Sequence, residues 1–112
     1  MPAYLLPDQA PTREEVDAFE GPVLLEFGTG WCGYCRAVAP IVDRLLAQHP
    51  QVHHLKVEDG SGRPLGRSFR VTLWPTLVFL RDGKVLQQSA RPERNDIEQG
   101  LKSITTPQSA EA

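Results

Sequence analysis

Cys32 and Cys35 stand three positions apart in the run Trp31-Cys32-Gly33-Tyr34-Cys35, and they are the only cysteines of the 112 residues. A disulfide between them would close a very short loop and restrain the unfolded chain far less than a long crosslink would. They make a poor structural staple, which leaves redox chemistry or metal binding as the use of the pair. The thiolate is the reactive form of cysteine, so a redox cysteine needs surroundings that favour negative charge while leaving the sulfur reachable. The first turn of a helix offers both, through its unpaired amides and the positive end of its dipole. At such a turn the first cysteine is the more exposed, so Cys32 is the expected nucleophile. Residues i and i+3 share a helix face, so Cys35 can reach a mixed disulfide at Cys32 and expel the reduced substrate.

The metal alternative is weak on donor count. A structural zinc site takes about four protein ligands, and this chain offers the two cysteines with His49, His53 and His54. His53 and His54 are neighbours in a predicted strand, so their side chains point to opposite faces. No metal and no bound cofactor is expected; the dithiol is itself the electron carrier.

The redox reading requires the pair to lie between a buried strand and a helix, and the flanking sequence has that form. Val23-Leu24-Leu25-Glu26-Phe27 is apolar on both pleat faces except at Glu26, as in a central strand covered by helices on both sides. Gly28-Thr29-Gly30 reads as a loop. Val38, Ile41, Val42, Leu45 and Leu46 then repeat at helical spacing to about residue 48, with Pro40 inside, where it removes a backbone hydrogen bond. Upstream, Thr12-Arg13-Glu14-Glu15 has the form of a capping box and predicts a short helix near 12–20, ended by Gly21-Pro22. Downstream, 52–57 reads as a strand, and a short helix is expected through Phe69. Leu77 to Leu80 and Val85 to Gln88 form a hairpin around Asp82-Gly83, and Ile97, Leu101 and Ile104 mark a closing amphipathic helix. The fold class is α/β, a central mixed sheet flanked by helices on both faces. One domain, 1–112, is expected, with a core at 12–104 and a frayed tail at 105–112.

The net charge of -2 and pI near 5.9 argue against a nucleic-acid binder, whose footprint would be basic. The charge is uneven: Lys and Arg against Asp and Glu number 4 against 9 in 1–60 and 8 against 5 in 61–112. Arg63, Arg67 and Arg70 would share one face of a helix there, a solvated face in the plain reading. The N-terminus shows neither a basic n-region nor an apolar stretch of signal length, and no segment is long enough to span a bilayer. A cytoplasmic protein with no membrane partner is expected, and there a close cysteine pair is catalytic or metal-binding rather than structural.

Taken together, Trp-Cys-Gly-x-Cys at 31–35, Ala39-Pro40 in the following helix, Lys56 in the next strand and Trp74-Pro75-Thr76 before the hairpin resemble the thioredoxin family over roughly 12–104. The resemblance implies a thioredoxin fold, with the proline matching Pro75 in cis and facing the cysteine pair. It also implies that the backbone just before that proline pairs with an extended substrate segment, with Trp74 lining the groove. Glu26 matches the family's buried acid, usually Asp, and Lys56 its usual lysine partner. A carboxyl withdrawn into a sheet interior can exchange a proton with Cys35 through water during resolution, so Glu26 is the candidate general acid/base and Lys56 its candidate partner. Trp31, Gly33, Tyr34, Trp74, Pro75 and Ala90 are the candidate substrate-binding residues.

The sequence departs from the family pattern at three places. Tyr34 replaces the usual proline, Gly28 replaces an aromatic common just after the central strand, and Ala90 stands where a glycine usually lines the groove. Tyr34 brings an amide that proline lacks, which could bond the thiolate and make the pair more oxidising. The function implied is a thiol–disulfide oxidoreductase that reduces protein disulfides as a monomer, recharged by an external reductase or thiol system. The alternatives are an oxidase or isomerase using the same pair, and a non-catalytic thioredoxin-fold interaction module.

Overall fold

The computed structural model describes residues 3–107. Its elements are β1 (Tyr4–Leu5), α1 (Arg13–Asp17), β2 (Pro22–Gly28), α2 (Gly33–Leu46), β3 (His53–Glu58), α3 (Pro64–Ser68), β4 (Thr76–Arg81), β5 (Lys84–Ala90) and α4 (Arg94–Thr105). The five strands form one mixed sheet in the order β1-β3-β2-β4-β5. β1 and β2 both run parallel to β3, while β4 runs antiparallel to β2 and to β5.

β2 lies at the centre because nearly every one of its side chains is apolar, so both of its faces can be covered. The period of two sends Val23, Leu25 and Phe27 to one face, where they pack with Val16 of α1, Leu65 of α3 and Phe69. Leu24 goes to the other face, against Val38, Val42 and Leu45 of α2 and Ile97, Leu101 and Ile104 of α4. Glu26 and Gly28 share the face of Leu24, so a carboxylate and a missing side chain both lie beneath α2.

Local chemistry fixes the ends of the elements. The capping box at α1 is formed: the Glu15 amide donates to Thr12 Oγ1 at 3.1 Å and the Thr12 amide to Glu15 Oε1 at 2.8 Å. The helix is shorter than the predicted 12–20, ending at Asp17 before the left-handed Gly21. The hairpin turns on Asp82 and Gly83, both at positive φ (52° and 79°), the conformation that tight two-residue hairpins require. A side chain at Gly83 would also run into the Asp17 backbone.

Besides α1, one added strand and one helix end differ from expectation. Tyr4 and Leu5 form an edge strand, with Tyr4 opposite Lys56 and Leu5 opposite Val57. Two residues carry no periodicity, so that pairing had no signal in the sequence. Thr105 closes α4, its hydroxyl bonded back to the Leu101 carbonyl at 2.7 Å, so it belongs to the helix rather than to the tail. Residues 108–112 of the expected frayed tail lie outside the described residues, as do Met1 and Pro2. Among the described residues no helix is long and apolar enough to cross a membrane.

Candidate active site

The loop after β2 delivers the chain to α2 with Cys32 as its N-cap and Cys35 in its first turn. Both cysteines are free thiols, Cys32 8 % exposed and Cys35 2 %. The Cys35 amide donates to Cys32 Sγ at 3.2 Å, so the sulfur takes the capping place that a Ser or Asp oxygen fills at other helices. Both cysteines are buried, Cys32 less deeply than Cys35. Burial, followed by the hydrogen bond with Cys32, pushes the Cys35 thiol up to about 11, while the Thr29 backbone and the Tyr4 side chain pull the other way. At neutral pH Cys35 is a thiol that needs a base before it can attack.

Glu26 is 1 % exposed and lies two residues before Gly28 on the same sheet face, about 7 Å along the strand. A Cβ at Gly28 would fall 2.5 Å from Cys35 Sγ, which fixes the inner sulfur directly over that glycine. The carboxyl and the Cys35 sulfur therefore lie on the same side of the sheet, beneath α2. Its partner is not Lys56. Glu26 Oε1 is 2.8 Å from His54 Nε2, the carboxyl buried and the imidazole half-buried. Lys56 is opposite Glu26 in the register of β2 and β3, but it is also opposite Tyr4, and its ammonium lies over the Tyr4 ring, 4.4 Å from the centroid. His54, two residues earlier on the same face, takes the carboxyl instead. His53 points to the other side, towards Phe19 at 6.3 Å between ring centroids.

Around the thiols, Trp31 is 74 % exposed and Tyr34 57 %, with Leu73 also exposed. Gly33 opens α2 on the exposed side. The Trp74–Pro75 peptide is cis, and its loop is tied to the α2 N-terminus by two aromatic contacts. Trp31 meets Trp74 edge to face at 5.7 Å, and the Arg91 guanidinium covers the Tyr34 ring at 4.0 Å. Arg91 holds the same loop through its Nε, which donates to the Trp74 carbonyl at 3.0 Å, and through its amide, which donates to the Pro75 carbonyl at 2.7 Å. Trp74 is anchored from behind by Nε1 donating to Asp59 Oδ2 at 2.8 Å, and Asp59 fits against Gly66, where any side chain would collide with its carboxylate. Ala90 pairs with Thr76 at the end of β5 and is exposed.

The structure thus gathers Cys32, Cys35, Glu26, Trp31, Gly33, Tyr34, Trp74 and Pro75 at one end of the sheet. Sequence reasoning missed Tyr4, His54 as the carboxyl's partner, Asp59 and Arg91. Arg91 had a faint signal in lying next to Ala90; Tyr4 had none until β1 was paired. Of the three arginines expected on one helix face, Arg63 is the N-cap of α3 and is paired with Glu58 at 3.0 Å, while Arg70 lies past its end at a left-handed φ of 59°. They still border one shallow surface hollow with Arg67.

A mixed sheet between two helical layers, with a free dithiol at the N-terminus of the helix that follows its central strand, defines a thiol–disulfide oxidoreductase at the general level. The chain belongs to the thioredoxin family, whose model matches residues 7–103. It is similar to the solved structure of thioredoxin 2 from Pseudomonas aeruginosa in its reduced form, 51 % identical with a TM-score of 0.75, over 85 % of this chain and 89 % of that one. It is 40 % identical over 70 residues to a thioredoxin from Chlamydia trachomatis, covering 62 % of this chain and 68 % of that protein. An H-type thioredoxin from Picea mariana is 28 % identical over 82 residues, 73 % of this chain and 66 % of that protein's length.

Proposed function

We propose that the protein reduces disulfides in other proteins. Cys32 thiolate attacks one sulfur of the substrate disulfide, the second substrate sulfur leaves as a thiolate, and a mixed disulfide forms at Cys32. Cys35 then gives its proton towards Glu26, attacks Cys32 Sγ and releases the remaining substrate sulfur. The resulting Cys32–Cys35 disulfide is returned to the dithiol by an external reductase or thiol system, with the protein acting as a monomer in the cytoplasm.

The observation that carries this reading is the pairing of a less covered cysteine at the helix N-cap with a more deeply covered one whose thiol is pushed up to about 11. Cys32 can meet a bulky substrate, while Cys35 holds its proton until the mixed disulfide is in place. The exposed Trp31, Tyr34 and Leu73 supply an apolar rim suited to a polypeptide. The oxidising alternative rested on the Tyr34 amide. Among the described residues the amide that bonds Cys32 Sγ is that of Cys35, which a proline at 34 would leave in place.

The test is reduction of insulin by dithiothreitol with catalytic amounts of protein. Wild type is expected to accelerate it and Cys32→Ser to abolish the acceleration. Equilibration with glutathione buffers should give a potential near about -270 mV, in the thioredoxin range. Absence of acceleration, or a potential near about -180 mV or above, would overturn the reductase reading.

A further inference from the structure

The Tyr4 hydroxyl is buried and has no hydrogen-bond partner among the described residues. A buried hydroxyl in that state is costly, so its surroundings are informative. β1 lays Tyr4 beside β3 with its ring under the Lys56 ammonium, and the hydroxyl reaches across the sheet to Gly28. A Cβ at Gly28 would lie 2.9 Å from that oxygen and 2.5 Å from Cys35 Sγ. Hydroxyl and sulfur therefore crowd the same space, which exists because residue 28 has no side chain.

A thiol is a weak acceptor and a thiolate a strong one. The hydroxyl without a partner beside Cys35 becomes a paired one when Cys35 ionises. Tyr4 can donate throughout, because burial and then the neighbouring Glu26 and Cys35 push its own ionisation well above the ordinary tyrosine range.

We propose that Tyr4 is a positioning residue for the resolving step, its hydroxyl donating a hydrogen bond to the Cys35 sulfur as the thiolate forms, in the space left by Gly28. This deepens the thiol–disulfide reading and rests on it. In the step, the Cys35 proton passes towards Glu26 and Cys35 Sγ bonds to Cys32 Sγ. The bond between Cys32 and the substrate sulfur breaks, and its electron pair leaves on the substrate sulfur, which takes a proton from solvent. Tyr4 keeps its own proton.

The test uses the reduced full chain and 5,5′-dithiobis(2-nitrobenzoate), mixed in a stopped-flow instrument. Wild type should release one thionitrobenzoate in a second-order phase as Cys32 attacks and a second in a first-order phase as Cys35 resolves the mixed disulfide. Tyr4→Phe keeps the ring beside Lys56 and removes only the hydroxyl. A hydrogen bond to a charged group is worth about tenfold or more, so Tyr4→Phe should slow the second phase about tenfold and leave the first within about twofold. The pH midpoint of the second phase should rise by about one unit, which a loss of packing would not produce. An unchanged second phase overturns the proposal, as does equal slowing of both phases or slowing with no shift of the midpoint. Gly28→Ala supplies a second variant: its methyl displaces hydroxyl from sulfur, so it should slow the second phase and raise its midpoint in the same sense, and a faster second phase there also overturns the proposal. If wild type releases a single thionitrobenzoate and forms no internal disulfide, the underlying reading falls, and the Tyr4 role falls with it.

Discussion

Replacing Glu26 with glutamine isolates the proton that Cys35 must lose. Glu26 Oε1 is 2.8 Å from His54 Nε2 and its other oxygen has no partner among the described residues. Glutamine has nearly the same volume and its amide oxygen can still face His54, so Glu26→Gln should change stability by about 1 kcal/mol or less. What it cannot do is carry a proton. With the Cys35 thiol pushed up to about 11, pH 7 lies 11 - 7 = 4 units below its midpoint, and the thiolate is about one part in 10⁴. A positioned base is worth about 10²–10⁴ in rate. Resolution in Glu26→Gln should therefore slow by about 10² or more at pH 7, then recover about tenfold per pH unit as hydroxide replaces the base. The assay is the second phase of thionitrobenzoate release between pH 6 and 10, with urea denaturation as the control for folding. A variant that resolves at the wild-type rate with the wild-type pH profile would refute the assignment of Glu26 and the reasoning from the covered thiol together.

Alkaline pH should distinguish the two redox states. The Cys35 midpoint is raised from 9.0 to about 11 on folding, so its contribution is fully present below about pH 9 and lost as pH climbs through 11. The dithiol form should lose stability across that window relative to the disulfide form, in which Cys35 cannot titrate; thermal denaturation of both forms checks it. Arg91→Ala removes the cover over Tyr34 and the bond to the Trp74 carbonyl, both on the exposed rim. It should alter KM for a protein disulfide severalfold and leave stability within about 0.5 kcal/mol, measured by steady-state kinetics beside urea denaturation. Gly100→Ala would bring a methyl to 2.5 Å from the fully buried Phe79 ring, so it should destabilise the fold by about 1–3 kcal/mol while the rate of Cys32 attack in the folded fraction is unchanged.

The local elements were legible because each carries its own signal. The capping box at Thr12, the apolar run through β2, the helical period after Cys35 and the Asp82-Gly83 turn depend on residues within a few positions of one another. Residues that act across the sheet were legible only where a motif named them. Glu26 stood out as a charge in an apolar strand, but its partner was misassigned, because Lys56 and His54 share a face and spacing cannot choose between them. Asp59 was invisible and Arg91 marked only by lying next to Ala90: each acts on Trp74 through a hydrogen bond spanning 15 or more positions.

What the sequence alone determined is a CxxC at the start of a helix after a buried strand, with one sulfur at the N-cap and the other in the first turn. That follows from adjacency, since the helix terminus and the i, i+3 spacing are local facts. Tertiary structure decided the environment of the inner sulfur. The edge strand β1, too short to have a period, carries Tyr4 towards Cys35 and under the Lys56 ammonium, and Glu26, opposite Lys56 in the register, pairs with His54. Those contacts depend on which strands lie side by side, and strand order is set by the packing of both helical layers rather than by any one segment.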